Sequence, residues 1–340
     1  MHWPRNPAEP MSNYLKAALT LLILVFLGFF IRATDWRGVL ESVQQVGFNF
    51  FVLLFISFLS AWLSVVAWRY CLPKEAHIVS GWKLFWIRQI GENVAILNPT
   101  SVIGGEAMKI YMLRELGVDK KPALNSILLS RALTIISQIL MLMIAGVWFL
   151  SLKISDFSGP LAHWKGLMIL TVILAGVLYI LRHRLFKDLS KAILLRLGLL
   201  SRYLKTREFI ATLWMELLTF YRENRRAMLL SFLASCLHWI VGSLEFYFIL
   251  LFLGVKTTVA KALLVDMGVI VFKSAGAFVP AQIGVEEYGN KVMLGIIGIA
   301  GETIWITVSV LRRARQLSWI LLSILIYFVF FNRKWTNIQA

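Results

Sequence analysis

Acidic residues, cysteines and the signatures of soluble enzymes are scarce in this chain. Cys71 and Cys236 are its two cysteines. No C-x-x-C spacing offers a metal site, and no metal is expected. A G-x-x-x-x-G-K-[ST] loop is missing, which excludes direct drive by a nucleotide held in that way. No Ser/His/Asp order, acidic metal motif or donor-binding loop is present, so no cofactor is called for. There is no low-complexity segment, lipidation motif or soluble domain. Asp and Glu number 18 against 35 Lys and Arg, a formal charge of +17. In an apolar chain that excess marks the cytoplasmic side and anionic headgroups, so nucleic acid is not an expected partner.

What the chain has is apolar length. It is 59% hydrophobic, with 23 Phe and 13 Trp, and its mean hydropathy is +0.74. The fold class this implies is an all-α polytopic membrane protein, because long apolar runs must satisfy their own backbone in lipid. Six segments are long enough to cross a ~30 Å hydrocarbon core, at about 15–32, 48–68, 124–152, 164–182, 227–253 and 303–331. The first is followed by "RATDW", a poor small-residue cleavage site, so it reads as a retained anchor. Two further apolar regions, about 82–116 and 261–299, are interrupted. The breaks fall at Asn98-Pro99 with Gly104-Gly105, and at Gly276, Pro280 and Gly284. Each piece is too short to cross alone, and paired re-entrant half-helices fit the lengths.

The most basic connection, about 183–226, should be cytoplasmic. Its Leu185, Leu189, Ile193 and Leu197 recur at helical spacing with Lys187, Lys191 and Arg196 between them. That suits either an interfacial helix beside acidic lipid or a solvated linker helix. Counting crossings from there puts both termini inside, and the expected location is the cell (inner) membrane. The whole chain, 1–340, reads as a single integral membrane domain: repeat 1 over about 15–182, the linker, and repeat 2 over about 227–331.

The two breaks are related. With Pro99 set against Pro280, Glu106 meets Glu287, Met112-Leu113 meets Met293-Leu294, Gly117 meets Gly298 and Arg131 meets Arg312, without a gap. The charge and glycine matches carry the weight, since both are rare in such segments. Crossing counts put the second hairpin on the opposite face, so the repeat is inverted. Inverted repeats with Gly/Pro-interrupted helices are a transporter signature, with the substrate site near the breaks.

Charges within apolar segments must pair or line a wet cavity. Arg131 and Arg312 suit phosphate, because the guanidinium fork matches its oxygens. Glu106, Lys109, Glu286, Glu287 and Arg313 join them as candidate substrate-binding residues, the glutamates holding an ammonium, exchanging a proton or positioning the arginines. Glu106–Arg131 and Glu287–Arg312 also read as structural salt bridges from hairpin to helix. His238 and Glu245 are seven apart on one face, as are Asp266 and Lys273. These four are candidate cavity-lining residues. Asn93 reads either as lining or as hydrogen-bond glue between helices, and Gln138 as such glue.

These residues resemble the flippase-like transmembrane region of lysylphosphatidylglycerol synthases and its free-standing relatives. The resemblance rests on Pro99, Gly104, Gly105, Glu106, Lys109, Gly117 and Arg131, and on "PAQIGVEE" from Pro280 to Glu287. It covers about 50–330. Lys109 stands where the family pattern has Arg, and Ala281-Gln282 replaces part of its glycine-rich run. With the chain ending at Ala340, the soluble aminoacyl-transfer domain has no room. The resemblance therefore implies the flipping half: moving an anionic phospholipid, or a polyprenyl-linked lipid, between leaflets without enzymatic chemistry. Two readings stand beside it, a membrane-embedded headgroup transferase with Glu287 or His238 as base, and a non-catalytic scaffold presenting the basic linker. Oligomeric state is not legible.

Overall fold

The computed structural model describes residues 46–72, 79–97, 102–154, 215–276, 284–299 and 301–327, with a few isolated positions besides. The expected spans at 15–32 and 164–182, most of the basic linker, and the break residues Pro99 and Pro280 lie outside the described residues. All regular structure among the described residues is helical. We number the main helices α1 (Phe50–Cys71), α2 (Gly81–Leu97), α3 (Val102–Glu115), α4 (Lys120–Ile154), α5 (Arg225–Phe252), α6 (Val259–Ala275), α7 (Val285–Ile296) and α8 (Glu302–Ile326).

Three of these are long and apolar enough to cross a membrane: α1, α4 and α5, with mean hydropathies of 2.4, 2.2 and 1.8. α1 stops where Leu72 turns extended ahead of Pro73, as a residue before proline is driven to do. α4 takes Pro122 in its first turn, where a missing N–H costs nothing. α8 has the length of a crossing at 25 residues, yet carries Arg312, Arg313 and Arg315 near its middle.

α1 packs along α5 more extensively than any other pair. Small residues make that approach close: Ser60, Ala61, Ser64 and Ala67 are buried on α1, and Ser231, Ala234 and Ser235 on α5. Ser231 Oγ donates to the Ala67 carbonyl at 2.8 Å, so the seam is hydrogen-bonded as well as packed.

The interrupted regions form two helical hairpins, α2 with α3 and α6 with α7, each pair packed together. Their helices are 17, 14, 17 and 12 residues long, all below the roughly 20 residues typical of a bilayer span. One expectation is corrected. Gly104 and Gly105 do not belong to the break, because α3 already begins at Val102. Gly105 instead lies against Gly91, where an added Cβ would strike the Gly91 carbonyl oxygen. The missing side chain is what lets α2 and α3 touch. Gly276 and Gly284 do sit at the second break, as the C-cap of α6 and the N-cap of α7.

Both hairpins end in the same way. Gly117 and Gly298 take left-handed φ of 87° and 88°. In the first, Val118 N donates to Leu113 O at 3.1 Å; in the second, Ile299 N donates to Leu294 O at 2.9 Å. This is the glycine-terminated helix cap, placed 181 residues apart in the chain like the other matched positions. Leu113 and Leu294 are fully buried, each in its own hydrophobic cluster, the first with Leu84, Phe85 and Ile87, the second with Phe246, Leu250 and Val265.

Candidate functional site: a charged cavity between two hairpins

A cavity of about 550 Å³ lies between the hairpins, and each of α1 to α8 contributes to its wall. Of the residues singled out in the sequence, Asn93, Glu106, Lys109, Arg131, His238, Glu245, Asp266, Lys273, Glu286 and Arg312 line it. Glu287 and Arg313 are not among its lining residues. They pair with one another, and Glu287 Oε2 also accepts from Gly284 N at 2.8 Å, closing the first turn of α7. The expected Glu287–Arg312 bridge is thus corrected: Arg312 pairs with Glu286. The cause is helical geometry. Neighbours on a helix point about 100° apart, so only one of the two glutamates can face the cavity while the other caps its own helix.

In the first half of the cavity, Lys109 Nζ is 2.7 Å from Glu92 and 3.3 Å from Glu106. Arg131 Nη1 is 3.4 Å from Glu106 and 3.8 Å from Glu92. Two carboxylates are therefore shared between two cations. The Arg131 side chain, which lines the cavity, is nonetheless 41% exposed. Glu106 Oε2 is buried without a hydrogen-bond partner. Arg88 enters the same region from α2, its Nε donating to Ser64 Oγ at 2.9 Å and its Nη1 to Gln89 Oε1 at 3.0 Å.

The second half is built differently. Arg312 Nη1 meets Asp266 at 3.2 Å and Glu245 at 3.4 Å, and Nε meets Glu286 at 3.0 Å. Its guanidinium carbon lies 4.2 Å from the centroid of the Phe246 ring. Only 7% of this side chain is exposed. Such burial is tolerable because several carboxylates and an aromatic face replace its water. Lys273 holds the other Glu286 oxygen at 3.2 Å, and Arg315 pairs with Glu245.

Several polar links cross between the halves, two of them made by residues singled out in the sequence. The Ser60 hydroxyl donates to the His238 carbonyl at 3.1 Å, while His238 Nδ1 lies 2.8 Å from both the Ser60 carbonyl and hydroxyl oxygens. Nδ1 therefore carries the ring proton, leaving Nε2 as the acceptor. Asn93 Nδ2 donates to Ser323 Oγ at 2.8 Å, tying α2 to α8, so it is both lining and glue. Gln138 lines the wall as well.

Sequence reading missed Arg88 and Glu92. The signal was available: the two are spaced i, i+4 in an apolar segment, hence share a face. Extending the Pro99–Pro280 register upstream also sets Glu92 against Lys273.

No curated protein and no solved structure matches the chain. A family model described as the lysylphosphatidylglycerol synthase TM region matches residues 14–330, nearly the whole chain. The protein is a member of the family defined by that transmembrane region.

Proposed function

We propose that the protein carries a phospholipid, or a lipid-linked precursor, between membrane leaflets, as a carrier that changes no covalent bond. The observation that supports this most directly is the cavity, a charged space of about 550 Å³ reached by both hairpins in a chain of crossing helices. Irregular backbone and ionised groups at membrane depth are tolerable where they line such a space. The headgroup takes the polar route and the acyl chains stay in lipid. Arg131 engages the phosphate, being the hairpin-facing arginine that remains accessible. Glu106 Oε2, buried and without a partner, accepts from a hydroxyl or ammonium of the same headgroup. Arg312 is the strut that holds the second hairpin to α8, and it contributes charge rather than contact.

The reading continues to the arrangement in the membrane. The hairpins are copies entering from opposite faces, so that one site serves each leaflet in turn, with both chain ends on the cytoplasmic side of the cell membrane. The matching glycine caps and the shared register support the copies. The charge excess of the linker supports the sidedness.

The test is reconstitution in vesicles carrying a headgroup-intact anionic phospholipid with a fluorescent tail, bleached from outside by an impermeant reductant. Protein-bearing vesicles are expected to expose the inner-leaflet pool, and Arg131→Ala to slow that exposure at least about tenfold, the loss of a charge-assisted contact. Exposure no faster than in protein-free vesicles overturns the reading.

A further inference from the structure

The two halves of the cavity do not hold the same charge. Among the described lining residues, the second half sets Lys273, Arg312 and Arg315 against Glu245, Asp266 and Glu286. All six are joined by ion pairs, so that half is neutral and closed. The first half sets Arg88, Lys109 and Arg131 against Glu92 and Glu106. Lys109 and Arg131 share both carboxylates. Arg88 lies within ion-pair distance of no described residue: it donates to the neutral Ser64 and Gln89, and Glu92 and Glu106, already shared by Lys109 and Arg131, act on it only through their field. One cationic side chain is thus in excess.

The register between the halves shows where the missing carboxylate would stand. Glu245, which serves Arg312 and Arg315, is 181 residues from Ser64. Ser64 is the residue whose hydroxyl meets Arg88 Nε. At the position where one half has a carboxylate, the other presents a hydroxyl and a guanidinium. Arg131 converges on the same region, since its Nη1 reaches Glu92, one helical turn from Arg88 on α2.

We infer that Arg88, with Ser64 and Arg131, forms the seat of a singly charged phosphodiester, whose one negative charge takes the place that Glu245 fills in the opposite half. This rests on the headgroup reading above and narrows it. A phosphodiester carries one charge and balances one excess cation. A phosphomonoester or diphosphate carries more and would leave its surplus uncompensated in a membrane cavity. Three guanidinium N–H groups of Arg88 remain beyond the two bonds it makes, enough for a forked contact with two phosphate oxygens.

The inference is tested by calorimetric titration of the purified full chain in maltoside micelles, which contain no phosphate. The probes are dioctanoyl phosphatidylglycerol, dioctanoyl phosphatidic acid, dioctanoylglycerol and inorganic phosphate. The wild type is expected to bind the phosphatidylglycerol ahead of the other three. Arg88→Gln should raise its Kd at least about tenfold, and Arg88→Lys should recover part of that. Ser64→Glu, which supplies a built-in carboxylate, should compete with the probe and abolish binding. Lys83→Gln removes an exposed charge from the same helix outside the cavity and should change nothing.

Unchanged affinity in Arg88→Gln overturns the inference even if Ser64→Glu fails to fold. So does equal or tighter binding of inorganic phosphate, which would make this a free-anion site. So do a preference for phosphatidic acid and an absence of wild-type binding. The vesicle assay separates the two proposals. Arg88-dependent binding without leaflet exchange keeps the seat and removes transport; exchange that ignores Arg88 does the reverse.

Discussion

The two hairpins share a register and a cap but differ in what they do with an arginine. Arg131 and Arg312 occupy matched positions on the helices that follow. Arg131 keeps 41% of its side chain exposed and touches its carboxylates at 3.4 and 3.8 Å. Arg312 keeps 7% and is gripped by three carboxylates at 3.0 to 3.4 Å. The difference comes from Glu245, Asp266 and Glu286, whose counterparts in the first half are Ser64, Phe85 and Gly105. Three acids present in the second half and absent from the first separate a sealed joint from an accessible cation. On the carrier reading proposed above, the half without them is the one that would meet a ligand.

The largest expected effect breaks that joint. Arg312→Leu takes from Glu245, Asp266 and Glu286 the one cation that all three share, and removing one partner of a buried pair costs about 3–5 kcal/mol. Arg131→Leu should cost about 1 kcal/mol or less, because its pairs are partly exposed. Denaturant unfolding in detergent micelles measures both, and similar losses for the two would refute the division into joint and binding half. Asp266→Asn added to Arg312→Leu should restore part of the stability by removing one uncompensated carboxylate.

Much of this was legible in the chain, for a physical reason. Run lengths set α1, α4 and α5, because a bilayer demands about 20 apolar residues and tolerates little else. Both hairpins were legible as runs cut by proline and glycine. Ion-pair partners were not. Matching identical letters paired Glu287 with Glu106, yet α7 begins at Val285 and thereby turns Glu286 to the cavity. That one-residue choice depends on where a helix starts, which sequence fixes only to within a few residues. Gly104 and Gly105 misled in a similar way. Glycine marks both a break and a close crossing of two helices, and here Gly105 is the crossing. Arg88 and Glu92 escape a match of identical letters, because their counterparts at the same register are Val269 and Lys273.

A second comparison concerns the clasp within each hairpin. Glu92 on α2 meets Lys109 on α3 at 2.7 Å, whereas Lys273 on α6 meets Glu286 on α7 at 3.2 Å. The signs are exchanged, with the acid on the leading helix in one and on the following helix in the other. If the clasp matters only as a pair, exchanging the first one should be tolerated. Glu92→Lys alone and Lys109→Glu alone should each destabilise. The double variant should recover about 1 kcal/mol relative to their sum, a coupling of the size expected for contacting charges. Failure to recover would mean that Glu92 is held in place for Arg131 and Arg88 rather than for Lys109.

The smallest expected effect tests the likeness of the hairpins rather than their difference. Gly117 and Gly298 have φ of 87° and 88°, and a Cβ added to either would meet nothing within 4 Å. Substitution to alanine therefore has one consequence, the cost of the left-handed backbone, about 1–2 kcal/mol. Packing cannot blur the comparison, because there is nothing to strike. Gly117→Ala and Gly298→Ala should lower stability by amounts that agree within about 0.5 kcal/mol, the usual tolerance for independent sites. Asparagine, which enters this region more easily, should cost less at both. A clear inequality would mean that one cap opens before global unfolding. The hairpin whose cap yields without loss of global stability would then be the one free to move, and the accessible half, with Arg131, is where that freedom would serve a ligand.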